Sequence, residues 1–240
     1  MANNDMNDKR VVIVGGGSGM GFALAELLVA EGARVHLAGR SERKLAAARQ
    51  RLGASVTASR TDIADEDDVQ RLFADPVDHV VVTAADANGS YSPIESFPLK
   101  AAWTVLGTKV IGPWLVAKHA AAVMATGSIT FTSGIAAYRP SPGSSVLATA
   151  NGALEALART LAVELAPIRV NVVSPGWVDT PIWDDLAGPA KNERLAAMAA
   201  KLPAGRVGRP ADIAQAFRAL LGNEFITGTT LHVEGGHRLV

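Results

Sequence analysis

Cysteine is absent from the 240 residues. Its absence excludes disulfides and thiolate metal sites, and it suits a reducing cytoplasm. The five histidines show no metal-ligand spacing, so no metal is expected. An excess of charge is missing too: 23 Lys and Arg stand against 23 Asp and Glu, with no basic stripe. Neither nucleic acid nor an anionic membrane is therefore an expected partner. No apolar run reaches membrane-spanning length. Residues 1–9, MANNDMNDK, are polar, lack the apolar stretch of a signal peptide and read as a disordered terminus. No linker, repeat or low-complexity tract interrupts the rest, so 10–240 is expected to form a single domain.

What is present is a regular alternation. RVVIV (10–14), RVHLA (34–38), SVTAS (55–59), HVVVT (79–83), SITFT (128–132), IRVNVV (168–173) and TLHVE (230–234) read as strands. Ala/Leu-rich segments at helical spacing separate them. This βαβ rhythm predicts an α/β fold with a parallel sheet covered by helices on both faces. Near-continuous valine in VVIV and VVVT fits strands buried on both sides. Two loops stand out. One is DANGSYSP (86–93), and the other spans roughly 177–205, where turn residues mix with tryptophans in a composition that suits a lid. In TDIADEDDVQRLF, Asp65 is placed to cap a helix whose first turn holds Glu66, Asp67 and Asp68.

VVIVGGGSGMG puts glycines between a buried strand and a helix, spaced Gly15-xxx-Gly19-x-Gly21 and interleaved with Ser18 and Met20. The spacing is not G-x-G-x-x-G, but the physical need is the same. Glycine lets the backbone approach a pyrophosphate, and the following helix offers free N–H groups and a positive dipole end. At the end of the second strand, an acid would bind a ribose 2′-hydroxyl. This chain has Arg40 and Ser41 there, which suit a 2′-phosphate and point to NADPH/NADP+. His36, mid-strand, reads as a packed side chain.

With the segments that follow, these residues resemble the short-chain dehydrogenase/reductase family over about 10–236. Asp62-Ile63 looks like the pair that meets the adenine ring. Thr83-Ala84-Ala85 stands at the family's Asn-Ala-Gly, a departure, as is Val14 where threonine is usual. SITFTS ends in Ser133, at the family's catalytic serine. SPGWVDTP matches the segment whose Pro175 and Gly176 precede Val178 and Thr180, the residues expected at the nicotinamide amide. GRVGRPADIAQA and VEGG match the C-terminal signature. The resemblance implies a Rossmann-like doubly wound sheet of seven parallel strands in the order 3-2-1-4-5-6-7. It also implies a cofactor at the carboxyl ends of the strands and a homodimer or homotetramer built on helices near 100–125 and 145–166.

Family members carry Tyr-xxx-Lys after the serine. Aligning NGALEALARTLAVELAP puts Leu147 at the tyrosine and Asn151 at the lysine, and residues 143–158 contain neither residue type. On the preceding helix, where the family carries asparagine, TKVIGPWLVAK places Lys109. The asparagine and lysine therefore look exchanged, with a cation delivered from the opposite wall. The competing expectation is an exposed Lys109 on a helix kinked for packing. Pro113 lacks an N–H and would free the carbonyl of Lys109.

Leucine cannot transfer a proton, which leaves three sources. Ser133 could relay from water. Tyr138, Tyr91 or Asp86 could stand in. Or the substrate, such as an iminium ion, could need no proton when hydride arrives. The substrate pocket is expected to be apolar, with Leu147 in its wall. Trp177 and Trp183 either close over it or pack within the lid. The favoured expectation is an NADPH-dependent oxidoreductase acting on a small apolar carbonyl- or imine-type substrate. The alternatives are a non-catalytic NADP(H)-binding sensor or assembly subunit, and a lyase, cyclase or isomerase reusing the fold.

Overall fold

The computed structural model describes residues 6–84 and 90–240. Its centre is one sheet built from β1 (Arg10–Val14), β2 (Arg34–Gly39), β3 (Val56–Arg60), β4 (His79–Val82), β5 (Ser128–Thr132), β6 (Arg169–Pro175) and β7 (Thr230–Val233). The seven strands are parallel and lie in the order β3-β2-β1-β4-β5-β6-β7, as expected. The direction of winding reverses between β1 and β4. A doubly wound sheet opens a crevice at such a point, beyond the carboxyl ends of the strands.

Helices cover both faces. On one side α1 (Gly19–Ala30) and α9 (Pro210–Gly222) bury Leu24, Leu28, Phe217 and Leu221 against β1, β2 and β6. On the other, α5 (Gly112–Ala121) and α6 (Ser145–Glu164) bury Leu115, Val116, Leu154 and Ala158 around Phe131. The valine runs of β1, β4 and β6 are buried along their length because both faces are covered. Shorter helices α2 (Glu42–Leu52), α3 (Glu66–Leu72) and α4 (Leu99–Leu106) complete the layers, with α7 (Ile182–Ala187) and α8 (Lys191–Ala199) in the 177–205 segment.

The caps follow from short polar side chains. Ser41 Oγ accepts from Lys44 N–H at the start of α2. Asp65 accepts from the N–H groups of Asp67 and Asp68 at the start of α3, as its sequence position requires. His36 is a satisfied strand residue, with its ring nitrogens on Thr57 Oγ1 and Ser59 Oγ at 2.8 and 2.9 Å.

Two sequence expectations change. Residues 6–9 are not disordered: Met6 is buried in the α1 side of the core and Asp8 N–H bonds Gly32 O at 3.0 Å. A single apolar side chain in a polar stretch finds the core only in three dimensions. The supposed kink at Pro113 is a π turn, Gly107–Ile111, in which Gly112 N–H reaches Gly107 O. The wide turn lets the chain run from α4 into α5 with the proline in the first turn of α5.

Candidate functional site

The crevice at the β1/β4 reversal is a cleft of about 330 Å³. Its floor is the glycine turn. Gly15 has φ +87°, a left-handed conformation suited to glycine, and a Cβ there would lie 2.6 Å from Thr83 Oγ1 and 2.8 Å from Ala84 N. A Cβ on Gly21 would lie 2.6 Å from both Gly15 O and Thr83 Oγ1. Thr83 is held from behind, its N–H and hydroxyl both donating to Val14 O. One threonine thus backs two glycines, a packing role for the residue that stands where the family has asparagine. Gly15, Ser18, Gly19 and Met20 line the cleft beside Gly17, whereas Gly21 does not and sits beneath it.

Arg40 and Ser41 line the cleft at the end of β2. Lys44, one turn into α2, lines it with them, and a Cβ on Gly17 would sit 3.2 Å from Lys44 Cβ. Sequence reasoning missed Lys44. Its signal is the spacing of four from Arg40 across a helix cap. Asp62 and Ile63 form another wall. Asp62 Oδ1 accepts from Ala64 N–H, its own N–H donates to Asp68, and Ile63 is wedged against Gly112, where a Cβ would come within 2.7 Å. Ala84, Thr108 and Thr180 close the cleft. Ala85 and Asp86 lie outside the described residues.

The other expected contacts stand apart from this cleft. Pro175 ends β6, paired with Val233, and Gly176 N–H bonds Val233 O. A Cβ on Gly176 would meet Glu234 Cα at 2.7 Å, so this glycine serves strand packing. Val178 is buried, bridges to Gly208, and accepts from Trp183 Nε1 at 2.9 Å. Trp177 and Trp183 lie against each other, 4.4 Å between ring centroids. They line neither this cleft nor the second cavity described below, and they pack within the lid. Within the lid Lys191 pairs with Asp179 and Asp184.

Three groups converge at the carboxyl end of β5. Lys109, in the π turn, is only 7 % exposed, so the expectation of a solvated lysine does not hold. Its Nζ donates to Thr132 O and Ser133 O at 3.3 and 3.4 Å. Burial holds its ammonium below the ordinary lysine range, at about 8. Asn151, in α6, is buried and donates to the next carbonyl, Gly134 O, at 3.4 Å. Its Oδ1 is buried without a partner. Lys109 and Asn151 thus approach consecutive peptide groups of one strand end from two helices.

Ser133 turns elsewhere. It is buried, and its Oγ donates to Glu155 Oε1 at 2.7 Å. Tyr138 donates to the other oxygen of the same carboxylate. The Tyr138 ring meets His232 edge-on, 4.6 Å between centroids. Burial and then the Glu155 hydrogen bond push the Tyr138 phenol up to about 12. The residue whose Cβ would face Asn151, 3.1 Å from Nδ2, is Gly134. Glu155 is the second residue that sequence reasoning missed. Leu147, Asn151 and Glu155 follow at steps of four on α6, so one more turn of the same face leads to it. Tyr91 is half-exposed on its loop.

A second cavity of about 550 Å³ lies between Pro93–Glu95 and the 136–148 segment, lined by Ala137, Pro140, Pro142 and Ala148 among others. Leu147 is not in its wall. Among the described residues no group of three or more His, Asp or Glu gathers as a metal site. None of the described helices is long and apolar enough to cross a membrane.

The cleft fits a dinucleotide: side chains are excluded where the backbone must approach a pyrophosphate, and cations stand at the β2 end. Outside its lining, at the end of β5, Asn151 carries an unpartnered acceptor and Lys109 an ammonium on the neighbouring carbonyls. A ribose hydroxyl, as a donor, suits that unpartnered Asn151 oxygen.

Comparison with known proteins agrees with this fold. Residues 15–238 match the family model described as enoyl-(acyl carrier protein) reductase. The short-chain dehydrogenase/reductase ATR9 of Stachybotrys chlorohalonatus is 37% identical, the alignment covering 94% of this chain and 95% of that one. The short-chain dehydrogenase/reductase malC of Malbranchea aurantiaca is 36% identical over 96% and 95%. The structure of MalC, described as a reductase/Diels-Alderase, superposes with a TM-score of 0.92 at 34% identity, over 100% of both chains. A small-chain dehydrogenase solved in complex with NADPH gives 0.82 at 30% identity, over 98% of this chain and 100% of that one.

Proposed function

We propose that this chain, which belongs to the short-chain dehydrogenase/reductase family, is an NADPH-dependent reductase of a small apolar substrate carrying an activated carbonyl or an imine. The observation that carries the reading is the β2 end of the cleft. Arg40, Ser41 and Lys44 line it together, and neither of the two cleft acids, Asp62 and Asp185, stands at the end of β2. A carboxylate there would repel a 2′-phosphate, whereas a guanidinium and an ammonium attract it. NADPH would supply the hydride. The chain's own residues would bind its pyrophosphate on the Gly15–Gly21 turn and its adenine beside Asp62 and Ile63. They would hold the nicotinamide riboside on Asn151, beside Lys109, with Val178 and Thr180 toward the amide.

The choice of substrate rests on what is missing. Leu147 and Gly134 offer no hydroxyl on the side of Asn151, and Ser133 is engaged with Glu155. An ordinary ketone needs a proton as its oxygen gains charge; an iminium carbon does not. Titration with NADPH and with NADH, read by calorimetry or nicotinamide fluorescence, tests the cofactor reading. Tight NADPH and weak NADH binding is the expected result, and absence of both would remove it.

A second reading is a cyclase or lyase that uses the same cleft. It is favoured by the same lack of hydroxyls and by the relative described as a reductase/Diels-Alderase. Product formed without NADPH consumption would select it. The protein is read as cytoplasmic and as a homodimer or homotetramer across α4, α5 and α6. Leu99, Trp103 and Trp114 leave apolar surface exposed on α4 and α5. Light scattering that shows a monomer would overturn the assembly.

A further inference from the structure

We propose that Lys109 is the proton donor of this site, the general acid that takes over the work of the missing tyrosine. The inference rests on the reductase reading above and names the group that completes it. The argument begins with the hydrogen bonds of one amine. An ammonium has three N–H donors. Two of those on Lys109 are taken by Thr132 O and Ser133 O, and the third has no partner among the described residues. The two carbonyls belong to the carboxyl end of β5, the side on which a doubly wound sheet binds its ligand. Thr108, the preceding residue, lines the cleft itself. The carbonyls fix the direction of the side chain, so the remaining N–H is presented by a rigid support.

Among the described residues no carboxylate competes for it. Glu155 holds Ser133 and Tyr138, Asp62 holds Ala64 N–H, and Lys118 and His119 of α5 are paired with Glu66. The depressed ionisation of Lys109 comes from burial, with no charged neighbour among the described residues contributing. Burial favours the neutral amine, so this ammonium gives up a proton more readily than a surface lysine does. At about 8 it stands near neutrality, where a general acid works best. Tyr138 is the poorer donor, because its phenol is pushed up to about 12 and its proton is held by Glu155.

The balance is simple. As hydride reaches the substrate carbon, the C=O or C=N π pair moves to the heteroatom. That atom takes a proton from Lys109 Nζ and becomes an alcohol or amine. Lys109 is left as a neutral amine and regains its proton from water, while NADPH leaves as NADP+. Neutral imines and carbonyls need this proton; a preformed iminium ion does not.

The variant that separates charge from proton transfer is Lys109→Arg. Guanidinium keeps the cation but cannot lose a proton in this range. With 9,10-phenanthrenequinone and 2-methyl-1-pyrroline as probes, wild-type NADPH oxidation should fall as pH rises past about 8. In Lys109→Arg the rate should drop by about 100-fold or more, with that pH limb gone and NADPH binding largely kept. An activity-independent readout is a nitrogen-15 NMR titration of lysine side chains, with Lys109 assigned from its absence in the arginine variant. A midpoint near 8 supports the proposal, and an ordinary midpoint near ~10.4 overturns it. Lys109→Arg turning over at the wild-type rate with the same pH profile overturns it as well, and leaves the reductase reading standing. Wild-type protein that binds NADPH but oxidises it with neither probe removes the reductase reading, and the inference falls with it. Lys109→Met, which has no proton to give, serves if the arginine does not fit, with the same loss of the pH limb expected.

Discussion

The two ends of the cleft are built on opposite terms. At the β1–β2 end the proposed ligand would meet backbone: a glycine turn, a helix start, and two cations beyond the next strand end. At the β5–α6 end the proposed reading has it meet side chains, and there the proposed alignment departs from the family at several positions. In the proposed alignment Leu147 and Asn151 stand for tyrosine and lysine and Lys109 for asparagine, and Gly134 is the residue that faces Asn151. The difference is instructive. A pyrophosphate cradle depends on places where no side chain fits, so drift destroys it. A chemical centre depends on a few groups that can be exchanged while the sheet beneath them stays the same.

The largest effect that would break this contrast is expected at the cradle. Gly15→Ala forces a Cβ into Thr83 Oγ1 and Ala84 N from a left-handed backbone. It should cost about 1–3 kcal/mol of stability, seen in thermal unfolding, and abolish NADPH binding in calorimetry. Unchanged binding would mean that the turn does not hold the pyrophosphate. Next come the β2 cations. Arg40→Ala and Lys44→Ala should each weaken NADPH by about 10- to 100-fold while leaving NADH nearly alone, since a hydrogen bond to a charged group is worth about 1.5–3 kcal/mol. Equal losses for both cofactors would place these side chains on the pyrophosphate.

At the other end the exchange itself can be tested by a double-mutant cycle. Asn151→Lys adds a second ammonium near the buried Lys109, and Lys109→Asn removes the first. Each single change should weaken NADPH binding, and the double variant should recover part of the loss, with a coupling of about 0.5–3 kcal/mol. Additive losses would show that the two positions do not share a ligand. The smallest expected effect is spectroscopic. The chain has two tyrosines, so their ultraviolet titration can be read individually. Glu155→Gln should bring the Tyr138 phenol from about 12 back toward ~10, because it removes the anionic acceptor. A tyrosine that still titrates near 12 would leave burial, the larger cause, to account for the whole shift.

Parts of this site were open to sequence reasoning because they are local. A strand, a glycine turn and a helix start occupy consecutive residues, and Arg40 follows β2 directly. Lys109 was found by position, although the sequence could not say whether it was buried. Glu155 was hidden for a different reason. A glutamate in a long Ala/Leu helix reads as a solvated residue until something shows that its face is covered. Here Ser133 and Tyr138, 22 and 17 residues away, cover it.

By itself the sequence determined the seven strands, their parallel packing under helices and the glycine turn; the family resemblance supplied their order and the place of the crevice. Alternating periodicities and glycine spacings are properties of contiguous chain. Tertiary structure alone decided which way the side chains at the β5 end turn. It buried Lys109 against two carbonyls, gave Ser133 to Glu155, and set Gly134 opposite Asn151. Those outcomes depend on a π turn, a strand end and a long helix meeting in space. The free energy that orients each group comes from neighbours that no local pattern brings together.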